Sequence, residues 1–172
     1  TIAPHKNYQT LLRAFSQFVE LNNESPLDLV IAGDIGTTYQ NTLLMQARSL
    51  GISDRICFLG RVDYSEMPSL YREAKAFIHS SRLESFGLPL IEAMASGIPV
   101  IASDLEVCRE ICGDAAQYFA PTEANLLAKL ITSLLRDPAL RQSMISQGLL
   151  RARDFSWDGA ARRFLRVFEQ VA

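Results

Sequence analysis

ESFGLPLIEAMASGIPV, residues 84–100, decides the fold because it joins a loop, a helix and a strand without a break. Gly87 and Pro89 stand where a helix would begin, since glycine lets the backbone turn and proline suits the first helical positions. Gly97 would end that helix, and the apolar IPVIAS that follows has the composition of a buried strand. A helix followed directly by a buried strand is the repeating unit of a layered α/β protein.

The same alternation extends along the whole chain. Apolar runs typical of strands are LDLVIAG, RICFLG, KAFIHSS, IPVIAS and AQYFA. Between these runs lie segments whose apolar residues recur at helical spacing, and further segments of this kind follow the last run. The sequence therefore predicts an α/β, Rossmann-like domain over residues 1–172, with a mostly parallel sheet flanked by helices and a helical C-terminal segment. Trp157 is expected to pack the last helix against this domain.

The composition is that of a globular protein and argues against a nucleic-acid partner. Of the 172 residues 48% are hydrophobic and 21% are charged, and the net charge is −2, whereas nucleic-acid binding usually needs a basic surplus. No stretch has the pattern of a signal peptide or a membrane span. The three cysteines, Cys57, Cys108 and Cys112, are expected to be reduced thiols, the last two packed in the core, and no metal site is predicted.

The start of the helix at Gly87 is a candidate anion site. In open parallel sheets the ligand crevice lies beyond the carboxyl ends of the strands, which places the loop before Gly87 in the crevice. The N–H groups of Gly87, Leu88 and Leu90 would point into it, and a phosphate or diphosphate is the expected occupant. Glu84 and Glu92 would flank that occupant and accept hydrogen bonds from sugar hydroxyls. Alternatively, the two glutamates only interact favourably with the helix dipole.

These residues carry a resemblance to a known family. ESFGLPLIEAMASGIPVIAS resembles the E-x7-E segment of the retaining glycosyltransferases of family 4, which share the GT-B fold. Further segments resemble that family in the same order along the chain, namely APHKNYQTLLRAF, RICFLGRVDYSEMPSLYREAKAFIHSS and FSWDGAARRF. The chain is therefore similar to the C-terminal, donor-binding domain of such an enzyme, and the resemblance implies a nucleotide-sugar site.

The resemblance implies roles for Glu84, Lys6 and Glu92. Glu84 matches the glutamate that contacts donor-sugar hydroxyls beside the reaction centre, and Lys6 matches the basic residue on the diphosphate; these are the implied catalytic residues. Glu92 matches the glutamate that holds the ribose. Many members carry an arginine shortly before the lysine, whereas this chain has His5 there. The positive charge would come from Lys6 alone, from a protonated His5 or from Arg82.

Two loops complete the donor site that the resemblance implies. The loop whose backbone N–H groups meet the sugar and the diphosphate is matched by Ser85, Phe86, Gly87 and Leu88. The loop beside the nucleobase is matched by Arg61 and Val62. His79 would end a strand at the crevice, where it is either a catalytic base or, as we favour, a structural histidine.

The resemblance also implies an activity for the whole enzyme, which is transfer of a hexose from a nucleoside-diphosphate sugar to an acceptor hydroxyl with retention. It implies no metal or other cofactor, an acceptor sugar or lipid-linked glycan bound through an N-terminal domain, and a cytoplasmic place, with peripheral binding at the inner membrane face as an option. A central strand before Thr1 is expected, and the chain alone is expected to transfer nothing. The alternatives are a nucleotide-sugar 2-epimerase with the GT-B architecture and a non-catalytic nucleotide-sugar-binding module.

Overall fold

The computed structural model describes residues 2–22, 25–34 and 36–171, in which strands and helices alternate up to the last strand. The strands are β1 (Leu29–Ala32), β2 (Ile56–Gly60), β3 (Phe77–His79), β4 (Val100–Ser103) and β5 (Ala116–Phe119). The helices are α1 (Tyr8–Leu21), α2 (Thr37–Ser49), α3 (Met67–Glu73), α4 (Leu88–Ala95), α5 (Glu106–Cys112), α6 (Ala124–Arg136), α7 (Pro138–Ala152) and α8 (Trp157–Val171). This order confirms the predicted α/β architecture with a helical C-terminal segment.

The paired strands run parallel, in two separate sheets. β1 pairs with β2, and β3, β4 and β5 pair in that order. All four residues of β4 are buried, as expected for a strand covered on both faces. Parallel pairing places His79, at the end of β3, opposite Ala102 of β4, and the candidate site forms at this edge. No strand joins the two sheets within the described ranges, and the strand expected before Thr1 stays a prediction.

Helix α1 buries one face because its apolar residues recur at helical spacing. Leu11, Phe15 and Phe18 are buried, and the helix packs mainly against α6. Burying each such side chain contributes about 1.5–3 kcal/mol. The residue before the helix, Asn7, has a φ of 59° and is the non-glycine residue with positive φ in the described part of the chain. Asn7 therefore forms the single-residue connection between the 3₁₀ turn Pro4–Lys6 and helix α1, which begins at Tyr8.

Helix α4 carries part of the candidate site, and its inner face is held in place by α7. Leu90, Ala93 and Met94 are buried. Gly148 of α7 lies against this face, so closely that a Cβ added there would be 3.3 Å from Met94 Cγ. The close approach leaves α4 little room to shift relative to α7.

The two cysteines that were expected in the core are found there. All three are free thiols; Cys108 and Cys112 are buried and Cys57 is exposed. Burial raises the pKa of the Cys108 thiol to about 11 and that of Cys112 to about 12. The two buried residues therefore act as small apolar side chains in the core around α5.

Helix α8 differs from the prediction at Trp157. The indole is 85% exposed, so the expectation that it packs the last helix against the domain is wrong. Phe164, Leu165, Val167 and Phe168 are exposed as well. The apolar spacing correctly predicts an amphipathic helix. It does not indicate whether the surface against which the apolar face packs lies within the described ranges. In those ranges no helix combines the length and the apolar character needed to cross a membrane.

Candidate functional site

The candidate site forms where the N-terminal 3₁₀ turn meets the loop between β3 and α4. Ser80 Oγ donates to the carbonyl oxygen of Lys6 at 2.8 Å. The backbone N–H of Arg82 donates to the carbonyl oxygen of His5 at 2.7 Å. These two bonds hold Lys6 beside the loop that carries Glu84, although the two residues are 78 positions apart in the sequence.

Glu84 is the residue on which this site converges. Its Oε2 accepts a hydrogen bond from Lys6 Nζ at 2.7 Å and lies 3.1 Å from His79 Nε2. Its Oε1 accepts the backbone N–H of Ser85 at 3.1 Å. The side chain is 11% exposed. The structure thus brings together Lys6 and Glu84, the two residues for which the family resemblance implies catalytic roles.

These contacts fix the charge of Glu84. Burial opposes ionisation of the carboxyl, but the hydrogen bond and charge of Lys6, helped by Ser85 and His79, outweigh it and lower the pKa to about 2. Glu84 is therefore a carboxylate at neutral pH. It can accept hydrogen bonds and supply negative charge, but it carries no proton to donate.

His79 is enclosed between Glu84 and the core. It is 5% exposed, and burial lowers its pKa, although Glu84 partly opposes this. Because a carboxylate only accepts, the Nε2–H of a neutral ring donates to Glu84, which leaves Nδ1 facing Cys108 Sγ at 3.7 Å. Nδ1 faces the core, so this geometry favours the structural interpretation of His79 over a catalytic base.

The start of α4 offers backbone donors next to Glu84. Gly87 has a φ of 89°, and a Cβ there would be 2.9 Å from Leu90 Cδ1, so glycine is required. The N–H groups of Gly87 and Leu88 have no hydrogen-bond acceptor in the described part of the chain. The prediction that the Leu90 N–H also points into the crevice is wrong, because it donates to the Gly87 carbonyl at 2.9 Å. The Ser85 N–H is likewise occupied, by Glu84.

Glu92 occupies a different environment on α4. Its Oε2 accepts a hydrogen bond from Tyr71 Oη at 3.0 Å, and its Oε1 lies 3.5 Å from Tyr64 Oη. Tyr71 is buried, whereas Tyr64 is 79% exposed. Burial of Tyr71 and its contact with Glu92 raise the pKa of the Tyr71 hydroxyl. The partners of Glu92 are therefore neutral hydroxyls.

The loop after β2 carries Arg61 and Val62, the residues that were predicted to lie beside the nucleobase. Arg61 is exposed and Val62 partly buried, and Arg61 makes no hydrogen bond or ion pair within the described ranges. Tyr64 of the same loop does reach Glu92, so the loop lies beside α4 as the nucleobase prediction requires. The role of Arg61 and Val62 at a nucleobase stays a prediction. Phe86, in the other predicted loop, is 48% exposed.

The candidates for a second positive charge differ from Lys6 in position. His5 is exposed, and Arg82 Nε donates to Asn7 Oδ1 at 3.0 Å rather than to Glu84. Among the residues that the structure describes, no group of three or more histidine, cysteine, aspartate or glutamate side chains could hold a metal ion. Positive charge next to Glu84 is supplied by Lys6, together with the N-terminus of α4.

Sequence reasoning missed Asn7, Tyr64 and Tyr71. For Tyr71 a signal existed, because a tyrosine on the apolar face of a helix needs a partner for its hydroxyl when it is buried. For Asn7 the signal was its place directly before a helix, where asparagine tolerates a left-handed conformation. Tyr64 had no such signal.

Comparison with known proteins shows the family to which the chain is similar. The family described as Glycosyl transferases group 1 matches residues 1–151. O-antigen chain mannosyltransferase B of Escherichia coli is 30% identical over 170 residues, which is 98% of this chain and 44% of that protein. The chain thus spans less than half the length of this relative.

Solved structures show the same likeness. The C-terminal domain of a glycosyl transferase group 1 family protein, LpcC of Francisella tularensis, is 26% identical with a TM-score of 0.78, covering 88% of this chain and 80% of that one. Anabaena HepE in complex with UDP-glucose has a TM-score of 0.87 at 23% identity, covering 98% of this chain and 46% of that one, and shows a shared fold.

Proposed function

The chain belongs to the glycosyl transferases group 1, and on that premise we propose that it is the donor-binding half of a hexosyltransferase. The whole enzyme transfers a hexose from a nucleoside-diphosphate sugar to an acceptor hydroxyl, with retention at the anomeric carbon. The observation that carries the proposal is the 2.7 Å contact of Lys6 Nζ with Glu84 Oε2, next to the free N–H groups at the start of α4. A cation, a carboxylate and a helix N-terminus together suit a sugar diphosphate.

The positive groups of the site suit the leaving diphosphate. When the bond between the anomeric carbon and the diphosphate oxygen breaks, negative charge develops on the diphosphate. The ammonium of Lys6, whose side chain is 27% exposed, is accessible to a ligand, and Leu88, the first residue of α4, is exposed. Fixed donors of this kind stabilise developing charge without reorganisation, which removes the need for a metal ion.

The negative charge of Glu84 suits the sugar side of the bond. With a pKa of about 2, the carboxylate is ionised whenever the enzyme works at neutral pH. It accepts hydrogen bonds from hydroxyls of the donor sugar and opposes the positive charge that develops at the anomeric carbon. The proposed role is therefore electrostatic and positional rather than that of a general acid.

Glu92 suits the ribose. Tyr71 holds one carboxylate oxygen at 3.0 Å, while the other oxygen is near the exposed hydroxyl of Tyr64. A carboxylate held in this way presents a free acceptor to a pair of vicinal hydroxyls. The diphosphate would then lie between the two glutamates, near Gly87.

The names of similar proteins support a nucleotide-sugar donor and a glycan acceptor. HepE is solved with UDP-glucose, and the Escherichia coli relative is named for an O-antigen chain. The acceptor, a sugar or lipid-linked glycan, would bind to a further domain of the whole enzyme. We further propose a cytoplasmic enzyme that binds peripherally at the inner membrane face, and a chain that does not transfer sugar by itself.

Titration calorimetry tests the proposal directly. The chain is titrated with UDP, GDP and ADP, and with the matching nucleoside monophosphates. We expect one diphosphate to bind, and to bind more tightly than its monophosphate, because Lys6 and the α4 N-terminus act on the diphosphate. Absence of binding by all three diphosphates would contradict the donor-site assignment.

The variant Glu92→Gln tests the ribose assignment. A hydrogen bond to a charged group contributes roughly 1.5–3 kcal/mol, so affinity for the nucleotide that binds should fall at least about tenfold. Glu110→Gln, an exposed glutamate on α5, is the matched control and should leave affinity unchanged. Equal affinity of Glu92→Gln and wild type would instead support the helix-dipole interpretation of Glu92.

A further inference from the structure

Asn7 lies between the N-terminal turn and α1, and its side chain is enclosed. Its exposed fraction is 1%. Its φ of 59° lies in the left-handed region, which asparagine tolerates better than most residues that carry a side chain. A buried amide needs hydrogen-bond partners to offset the loss of water, and Asn7 finds them in separate segments of the chain.

The contacts use both ends of the Asn7 amide. Nδ2 donates to the carbonyl oxygen of Pro121 at 2.8 Å, in the loop after β5. Oδ1 accepts from Thr10 Oγ1 at 2.9 Å, on α1, and from Arg82 Nε at 3.0 Å, in the loop between β3 and α4. One side chain therefore connects the loops that follow β3 and β5 to the start of α1.

These contacts bear on Lys6, which directly precedes Asn7. The Asn7 N–H donates to the Pro4 carbonyl at 3.0 Å and closes the 3₁₀ turn. Arg82 is bound twice to this region, through its side chain to Asn7 and through its backbone to His5. The direction in which the Lys6 side chain leaves the backbone is thus fixed relative to the loop that carries Glu84.

We propose that Asn7 is a positioning residue, which sets the Lys6 ammonium against Glu84 and so prepares the diphosphate site before the donor binds. Asn7 acts through Lys6 and Arg82 and makes no contact with the carboxylate of Glu84. The meaning of this role rests on the proposed function, since Lys6 and Glu84 form the proposed donor site. The geometry itself is tested without any nucleotide.

The ionisation of Glu84 is a readout that a merely stabilising amide would not change. Lys6 is the chief stabiliser of the ionised carboxylate, with His79 and the Ser85 N–H as its other neighbours. If the ammonium is no longer held at 2.7 Å, the carboxylate loses its main stabilising partner. The pKa of Glu84 therefore reports the position of Lys6, whereas the melting temperature reports the stability of the whole fold.

The experiment measures the pKa of Glu84 from the side-chain carboxyl ¹³C shift during an acid titration of the full chain. Asn7→Gly removes the amide but keeps a residue that adopts positive φ. Lys6→Gln gives the full response to loss of the ammonium. Ser16→Ala is the matched control, because Ser16 is 4% exposed on the same helix and its Oγ donates to the Leu50 carbonyl at 3.3 Å, away from the site.

In Asn7→Gly we expect the pKa of Glu84 to rise from about 2 towards its ordinary value of 4.5, part of the way to the value in Lys6→Gln. In Ser16→Ala the melting temperature should fall while the pKa of Glu84 stays at about 2. A lower melting temperature of Asn7→Gly with an unchanged pKa of Glu84 would overturn the proposal, because the amide would then only stabilise the fold.

A second variant covers the case in which Asn7→Gly does not fold. Arg82 is exposed, so Arg82→Met is compatible with folding; it removes every side-chain donor of this residue to Asn7 Oδ1, which a lysine with its ammonium group would not. A smaller rise in the pKa of Glu84 is expected, and no rise would overturn the proposal. Titrations with UDP, GDP and ADP distinguish the positioning role of Asn7 from the proposed donor site. If the pKa of Glu84 rises in the variants but the wild-type chain binds none of the nucleotides, the positioning role is supported and the donor site is contradicted.

Discussion

Glu84 and Glu92 lie in one short segment, on either side of the glycine that directly precedes α4, yet their surroundings differ in kind. Glu84 is bound by the cation of Lys6, by the His79 ring and by a backbone N–H. Glu92 is bound by the hydroxyl of Tyr71 and lies close to that of Tyr64. The first carboxylate belongs to an electrostatic cluster, and the second is oriented by neutral donors.

The difference shows that two carboxylates of one motif can have surroundings of different chemistry. A charge held by a cation suits a place where charge moves during a reaction. A charge oriented by hydroxyls suits recognition of further hydroxyls, because the ligand then replaces or joins partners of its own kind. The proposed roles of Glu84 at the transferred sugar and of Glu92 at the ribose, which the family resemblance implies, are compatible with this division.

Lys6→Gln should have the largest effect, because it removes the cation that distinguishes the surroundings of Glu84 from those of Glu92. Loss of a hydrogen bond to a charged group costs about 1.5–3 kcal/mol, so affinity for the nucleoside diphosphate that binds should fall by roughly tenfold to a hundredfold. The monophosphate should be affected less. Calorimetry measures both, with the exposed Lys75→Gln as control; equal losses for the two nucleotides would contradict a role of Lys6 at the second phosphate.

Gly87→Ala should destabilise the turn that lies between Glu84 and Glu92. Gly87 has a φ of 89°, and an alanine Cβ would lie 2.9 Å from Leu90 Cδ1, so we expect a loss of about 1–3 kcal/mol in the free energy of unfolding. Urea denaturation measures it. Gly51→Ala is the control, because Gly51 has a φ of 67° with open space around its Cβ. A loss equal to that of the control would mean that only backbone strain, and no crowding by Leu90, requires the glycine.

Acid titration of stability should sharpen the comparison. The pKa of Glu84 in the folded chain, about 2, lies below its ordinary value of 4.5, so its contribution is complete above that value and is lost as the pH falls towards 2. Wild type should therefore exceed Glu84→Gln in unfolding free energy by about 1–2 kcal/mol at pH 6, and by little near pH 2. Urea denaturation at several pH values measures this, and a pH-independent difference would contradict the Lys6 contact as its source.

Tyr71→Phe should have the smallest effect, and it acts on Glu92 alone. Tyr71→Phe removes a hydroxyl that orients the Glu92 carboxylate but no contact with the ligand itself, so nucleotide affinity should fall by only about threefold to tenfold, or about 0.6–1.4 kcal/mol. Calorimetry with the same nucleotides measures it, and the pKa of Glu84 should stay at about 2. A change at Glu84 would show that the two environments are coupled.

The fold was largely predictable because apolar periodicity is local. The spacing of Leu11, Phe15 and Phe18 indicates a helix before any partner is known, and the run around β4 indicates a buried strand. Trp157 shows the limit of this reasoning. Periodicity gives the face of a helix that is apolar, but it does not give the surface that the face meets, and the exposed indole is the result.

The sequence indicated which residues to consider as a candidate site, but it did not indicate the contacts between them. The motif and the resemblance indicated Lys6 and Glu84, but nothing in either sequence segment states that Lys6 Nζ lies on Glu84 Oε2. The Leu90 N–H was wrongly assigned to the crevice, because in the first turn of α4 this N–H donates to the carbonyl oxygen of Gly87. Asn7 was overlooked because its partners, Arg82 and Pro121, come from distant parts of the chain.

The uneven burial of the cysteines makes the chain suited to covalent labelling at one position. Cys57 is exposed on β2, whereas the raised pKa values of Cys108 and Cys112, about 11 and 12, leave almost no thiolate at neutral pH to react with a maleimide. A fluorophore on Cys57 would lie roughly 13 Å along the strand from the loop that begins at Arg61. A change in its emission on addition of a nucleotide would report binding beside that loop, without altering any residue of the candidate site.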